Sequence, residues 1–252
     1  MHTTIIKHSS RGFLFALAFL FVFTPSCDEE ILNQANPNVV TPDLFFKTAD
    51  DATKAIVGAY SPLTDILYYT RMNVFATDYR SDVVNGFATS ERTAPGRFAA
   101  ESNRNMVGWT WGPMWKIISR TNAILANVPA IEMDEADKNA ILGEAYFLRA
   151  YNYHQMLQIY RYVPLVTEPI DIEASREILQ APPADVYNQI VSDLREAQSR
   201  LPVTWTGANV GRATSGAATG LLGRVMLSNS DFAGAKTELQ KVISSGTYEL
   251  ME

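Results

Sequence analysis

At 252 residues, 47% hydrophobic and 19% charged, the chain has the composition of a globular protein with a substantial core, which argues against a disordered or fibrous one. A formal charge of -6 and a pI near 5.2 argue against nucleic-acid binding, which needs clustered Lys and Arg for the phosphates.

In chain order, the first 26 residues stand apart. Lys7 and Arg11 supply positive charge, no acid occurs, and residues 13–23 are an unbroken apolar run of 11, too short for the roughly 20 residues that cross a bilayer. A basic start before such a run predicts a secretory signal over residues 1–26. Its removal leaves 19 basic and 27 acidic residues, a formal -8. Cys27 is the single cysteine, so no intramolecular disulfide can form. "TPSC" resembles a bacterial lipoprotein box, in which a small residue precedes a cysteine that is lipidated and becomes the new N-terminus. Ser26 fits the small position, while Thr24 and Pro25 depart from the usual Leu and small residue. An ordinary signal followed by a free thiol is the alternative. Residues 27–42 are rich in Asn, Pro and acid without sustained period, and are predicted to be a tether.

From Thr48 the periodicity is helical, and the predicted fold class is mostly α. Thr48 can cap a helix with Asp50 and Asp51 in its first turn, and Ala52, Ile56, Ala59, Tyr60 and Leu63 on its apolar stripe. A second helix is predicted over residues 111–128, with Trp111, Trp115, Ile118, Asn122 and Leu125 at steps of four and three. That spacing puts the Asn122 amide on a buried stripe, where it must find partners. A third is predicted from Asp134 to about Tyr160; its two apolar faces make it central. Pro164 and Pro169 impose an extended connection. Pro182 and Pro183 open a fourth helix that Pro202 ends. Val83, Val84 and Phe87 form at most a short extended piece.

The closing segment predicts two helices, over residues 215–228 and 231–244, with Asp231 capping the second and Gly246 following its end. Gly223 and Ala235 stand 12 apart, followed by Leu239 and Val242, a spacing that resembles the tetratricopeptide helix pair, in which small residues let two antiparallel helices nest. "LGEAYFLRA" at 142–150 repeats the opening of such a unit without a partner helix at the standard distance. Together they predict an irregular helical repeat.

"FFKTADDATKAIVGAYSPL", "WGPMWKIISRTNAILANV", "GEAYFLRAYNYHQMLQIYRYVPLV", "PADVYNQIVSDLREAQSRLP", "GRATSGAATGLLGRVML" and "DFAGAKTELQKVISSGTYEL" occur in one order that resembles the N-terminal part of the SusD/RagB family. The resemblance spans about residues 43–250. It implies a tetratricopeptide-like α-α superhelix, and an outer-membrane lipoprotein facing the cell exterior that binds oligosaccharides, or in some members peptides. It also implies a partner, a SusC-type TonB-dependent transporter; a helical-repeat scaffold that holds a partner and binds no small molecule is the alternative. No cofactor, metal or enzymatic activity is implied. Family members are about twice this length, so residues 43–252 are expected to be an incomplete N-terminal helical domain. Arg161 and Tyr162 stand where the family usually has Gly-Asp or Gly-Gly before "VPL". Asp28, Glu29 and Glu30 look like the acidic tract that directs such lipoproteins outward; a solvated linker is the alternative.

Sugar binding needs aromatic faces beside Asn, Asp or Arg. Such residues occur in the irregular region from Tyr68 to Trp111: Tyr79, Arg80, Asp82, Asn85 and Trp109 are the candidate ligand contacts, with a solvated loop as the alternative for the first four. For Trp109, packing is an equal alternative, and Trp111 and Trp115 are expected in the core. His154, the only histidine beyond the signal, has no ligand-spaced partner and is expected to be structural. Asp78 and Asp82 lack the neighbours of a catalytic pair. "GANVGRATSG" has the wrong glycine spacing for a phosphate loop, and Arg212 within it is expected to be structural.

Overall fold

The structure, a computed structural model, describes residues 42–70, 77–81 and 105–249. The expected signal, tether, lipidated Cys27, acids 28–30, and Val83, Val84 and Phe87 lie outside those residues. After a single helical turn at Pro42–Phe45 come α1 (Ala49–Tyr60), α2 (Asn105–Asn127), α3 (Glu135–Tyr160), α4 (Ile172–Glu177), α5 (Pro183–Arg200), α6 (Ser215–Ser228) and α7 (Phe232–Ser244).

Thr48 caps α1 as its sequence position predicts. Its hydroxyl accepts the Asp51 N–H at 3.3 Å while the Asp51 carboxylate accepts the Thr48 N–H at 2.9 Å, so each satisfies a donor the other leaves open. Ala52, Ile56 and Ala59 are buried, and Tyr60 and Leu63 pack against the same core.

The second helix begins six residues earlier than its Trp spacing suggests, at Asn105 rather than Trp111, and it carries Pro113 inside. Proline is usual in the first turn, but here the helix runs through it and forgoes the bond that residue 113 would donate to the Trp109 carbonyl. Trp109 therefore sits on a helix and not on an irregular loop.

α3 is central, as its two apolar faces predict. It packs against α2 on one side and α5 on the other, with α1 and α6 touching it as well. Ile141, Ala145, Leu148, Tyr153 and Met156 are buried along it. Each such large apolar side chain contributes about 1.5–3 kcal/mol by leaving water.

α6 and α7 form the expected antiparallel pair. A Cβ at Gly223 would lie 2.6 Å from Leu239 Cγ, so the crossing requires glycine there. Asp231 accepts the Gly234 N–H at 2.9 Å to cap α7. The buried Glu238 carboxylate ties α7 to α5 through Arg195 at 2.6 Å and Gln198 at 3.1 Å.

Between α3 and α5 the chain is extended, as Pro164 and Pro169 require. Strand β1 (Val163–Pro164) pairs antiparallel with β2 (Gln180–Ala181) and closes a loop that holds the short α4, capped by Asp171 at the Ala174 N–H at 2.7 Å. Neither that strand pair nor α4 was expected.

α3 ends at Arg161, with φ 65° and ψ -52°. The Tyr162 N–H donates to the Tyr160 carbonyl at 2.8 Å across it, which makes a γ-turn of the rare positive-φ form. A side chain at this φ costs about 1–3 kcal/mol. Glycine would remove that strain, at the cost of about 0.5–1 kcal/mol of extra chain entropy. Arg161→Gly is thus expected to raise stability by about 0.5–1 kcal/mol, and the β-branched Arg161→Val to lower it. Paired thermal melts check both directions.

Candidate functional site

The site begins with a buried charge. Arg149, on α3, is 4% exposed and faces Asp193 of α5, itself 1% exposed. Nε and Nη2 donate to the two carboxylate oxygens at 2.8 and 2.7 Å, a two-pronged pair. Nη1 donates to the Asn122 side-chain oxygen at 2.9 Å and to the Thr167 carbonyl at 2.8 Å. The Asn122 amide then donates to the Val166 and Glu168 carbonyls at 3.0 and 3.1 Å, which gives the amide its expected partners. Tyr153 completes the tie: its hydroxyl donates to the Val166 carbonyl at 2.9 Å and accepts the Val166 N–H at 2.8 Å. Burial pushes the Asp193 carboxyl above its ordinary range, and the Arg149 bonds pull it back only in part. Burial raises the Tyr153 hydroxyl to about 12, so it stays protonated and can donate.

These bonds hold residues 166–168, which have no regular structure of their own, a fixed distance from α2. Between the two lies a cleft of about 360 Å³. Trp111, Trp115, Ile118 and Asn122 share one face of α2 and form one wall; Pro164, Val166, Pro169, Ile170 and Ile178 form the other. Ser119, Glu168 and Ser175 supply polar groups. The two indoles meet edge to face at 5.6 Å, and Trp111 also meets the Tyr160 ring at 5.0 Å. Each is half-buried, so these expected core residues hold α2 to the core and also line a cleft. The arrangement offers flat apolar faces with a few hydroxyl and carboxylate oxygens, a surface for stacking and hydrogen bonding.

Of the residues singled out as ligand contacts, Tyr79 and Arg80 stand on a short 3-10 turn, Asp78–Arg80. Asp82 and Asn85 lie outside the described residues. Trp109 is half-buried on α2, two residues before Trp111, and its helical angle places it with Gly112 and Lys116 rather than on the cleft face. None of the three lines the cleft. The cleft residues were missed because its walls come from segments about 50 residues apart; the recurrence of Trp111, Trp115, Ile118 and Asn122 was the only available signal.

Arg212 has the structural place expected of it. It pairs with the fully buried Glu144 of α3, with Nε at 2.7 Å, while its guanidinium lies 4.5 Å from the Trp205 ring centroid. The Tyr60 hydroxyl donates to the same Glu144 at 2.9 Å and accepts the Ala213 N–H at 3.0 Å. Among the described residues no group of His, Cys, Asp and Glu could hold a metal, and no helix is long and apolar enough to cross a membrane.

Comparison with known proteins places this architecture. A SusD-like family model, described as starch-binding and associating with the outer membrane, matches residues 37–227. SusD-like protein P2 of Formosa agariphila is 29% identical over 218 residues, which cover 84% of this chain and 43% of that protein. A SusD-like protein of Bacteroides ovatus is 26% identical over 242 residues, covering 89% and 40%. The chain thus spans less than half the length of these curated relatives. A solved laminarin-binding SusD-like protein aligns with a TM-score of 0.68 at 29% identity, over 78% of this chain and 44% of that one. A SusD superfamily protein of Bacteroides vulgatus aligns at 0.75 with 24% identity, over 82% and 46%.

His154 lies buried on α3, where desolvation and then the Arg224 charge lower its pKa from 6.5 to about 4. The unfolded chain takes up this proton near pH 6.5 and the folded one only near 4. Stability from this group is therefore complete above pH 6.5 and falls as the pH drops from 6.5 to 4, by at most about 3 kcal/mol. His154→Gln is expected to remove that part of the decline. Denaturant melts of both proteins across this range test it, and parallel curves would contradict it.

Proposed function

The chain belongs to the SusD-like family of starch-binding proteins associated with the outer membrane, and from that premise we propose that it captures an oligosaccharide at the cell surface and passes it to a SusC-type TonB-dependent transporter. The single observation that carries the binding half of this reading is the Trp111 and Trp115 cleft, whose indole faces suit the apolar CH surface of a pyranose ring. Ser119, Glu168 and Ser175 stand where they can bond the ring hydroxyls. Binding of this kind involves no covalent step. Trp109 stands at the same end of α2 as Trp111 but on another face, and would contact a ligand outside the cleft. Tyr79 and Arg80, with Asp82 and Asn85, complete the proposed ligand contacts.

In this reading Cys27 is lipidated and anchors the protein, and Asp28, Glu29 and Glu30 direct it to the outer face. The supporting observation is the sequence: a basic and apolar start, a small residue before the single cysteine, and acids directly after it. The laminarin-binding neighbour makes β-glucan fragments the first ligands to try.

Calorimetric titration of the protein with laminari-oligosaccharides and malto-oligosaccharides tests the reading. Binding to at least one series is expected, with a loss of about tenfold or more in Trp111→Ala, equivalent to roughly 1.4 kcal/mol or above. Unchanged affinity in a folded Trp111→Ala protein would remove the cleft from the reading, and no heat with any glycan would remove glycan capture.

A further inference from the structure

We infer that the cleft selects neutral glycans and rejects those carrying carboxylate or sulfate groups, with Glu168 as the specificity-determining residue. The inference rests on the glycan-binding reading above and adds the charge class of the ligand. The wall facing the indoles is apolar apart from Ser175 and one carboxylate, Glu168. Glu168 lines the cleft itself, and Asp171, Glu173 and Glu177 follow it within nine residues, against the single cation Arg176. Arg176 is already engaged, donating to both oxygens of Glu173 at 2.9 and 2.8 Å.

Among the described residues, none that lines the cleft is a Lys or an Arg. Lys116 and Arg120 lie on α2 at helical angles well away from Trp111, Trp115 and Asn122, and Arg120 donates to the Gly58 carbonyl on α1. Arg149 stands behind Asn122, but both carboxylate oxygens of Asp193 neutralise it. The position of Glu168 is set by the fold, because its backbone carbonyl accepts the Asn122 amide. A ligand carboxylate stacked on Trp111 would enter beside the Glu168 carboxylate with no counter-charge among the described lining residues, and like charges in a partly desolvated cleft repel more than in water. A neutral sugar meets the same oxygens as hydrogen-bond acceptors for its hydroxyls.

The test uses two ligands of one shape: laminarihexaose, and the same oligosaccharide with its C6 hydroxymethyl groups oxidised to carboxylates. Calorimetry is run near 0.01 M and near 1 M salt, where the screening length falls from about 30 Å to about 3 Å. At low salt the oxidised ligand is expected to bind at least about tenfold more weakly than the neutral one. The gap is expected to narrow to within about threefold at high salt, and to shrink at low salt in Glu168→Gln. Circular dichroism checks that this exposed substitution leaves the fold intact. Equal or tighter binding of the oxidised ligand would overturn the inference and leave glycan capture standing. A gap that survives both high salt and Glu168→Gln would overturn it too, since the discrimination would then be one of shape. Failure of both ligands to bind, together with the malto-oligosaccharides, would overturn the glycan reading beneath it.

Discussion

The guanidinium of Arg149 is the constraint on which the rest depends. It sits inside the central helix, nearly without water, and carries five N–H donors that cannot be deprotonated. Burying such a charge unpaired is prohibitive, so the fold must bring partners to it. Asp193 comes from α5, Asn122 from α2 and the Thr167 carbonyl from the extended connection. One side chain thereby fixes the mutual placement of four segments. Removal of either ion would leave the other stranded, at a cost of about 3–5 kcal/mol, far above that of a surface pair. The cleft follows from this: without the bonds from Arg149, Asn122 and Tyr153, residues 166–168 would have neither ladder nor helix to hold them opposite the indoles.

The same device recurs across the repeat. Glu144 draws Tyr60 and Arg212 onto α3, joining α1 and the loop before α6. Burial pushes this carboxyl upward, and Arg212 followed by the Tyr60 hydroxyl opposes the shift. Glu238 gathers Arg195, Gln198 and Lys241, joining α7 to α5. Apolar contact alone is non-directional and would tolerate helices that slide past one another. A bonded carboxylate between two helices admits one register. The helical layers therefore take their adhesion from side chains such as Ile117, Leu148 and Leu194, and their alignment from three buried acids.

Much of the fold was legible because it is local. The Thr48 cap, the stripe of α1, the two apolar faces of α3 and the close approach at Gly223 each follow from neighbours within a few turns. The start of α2 was not legible, since Pro113 reads as an opening residue and only tertiary packing of Trp111 and Met114 carries the helix through it. The cleft was half legible. Asn122 on an apolar stripe announced a need for partners. That Arg149 would meet Asp193 across 44 residues is a property of how helices pack, and nothing in the periodicity of either helix encodes it. The aromatic, Asn and Arg content before Trp111 pointed to a ligand surface nearby in sequence, whereas the cleft wall that faces the indoles comes from the Pro-rich connection after α3.

Amide hydrogen exchange at Val166 tests the central claim most directly, because that N–H lies in an irregular segment and donates to the Tyr153 hydroxyl. If the Arg149 network holds the connection in place, Val166 exchanges as slowly as the interior amides of α3. In Arg149→Met its protection falls by about a hundredfold or more, and by more than that of the α3 amides. Fast exchange at Val166 in the unaltered protein, or protection unchanged in Arg149→Met, would contradict the account.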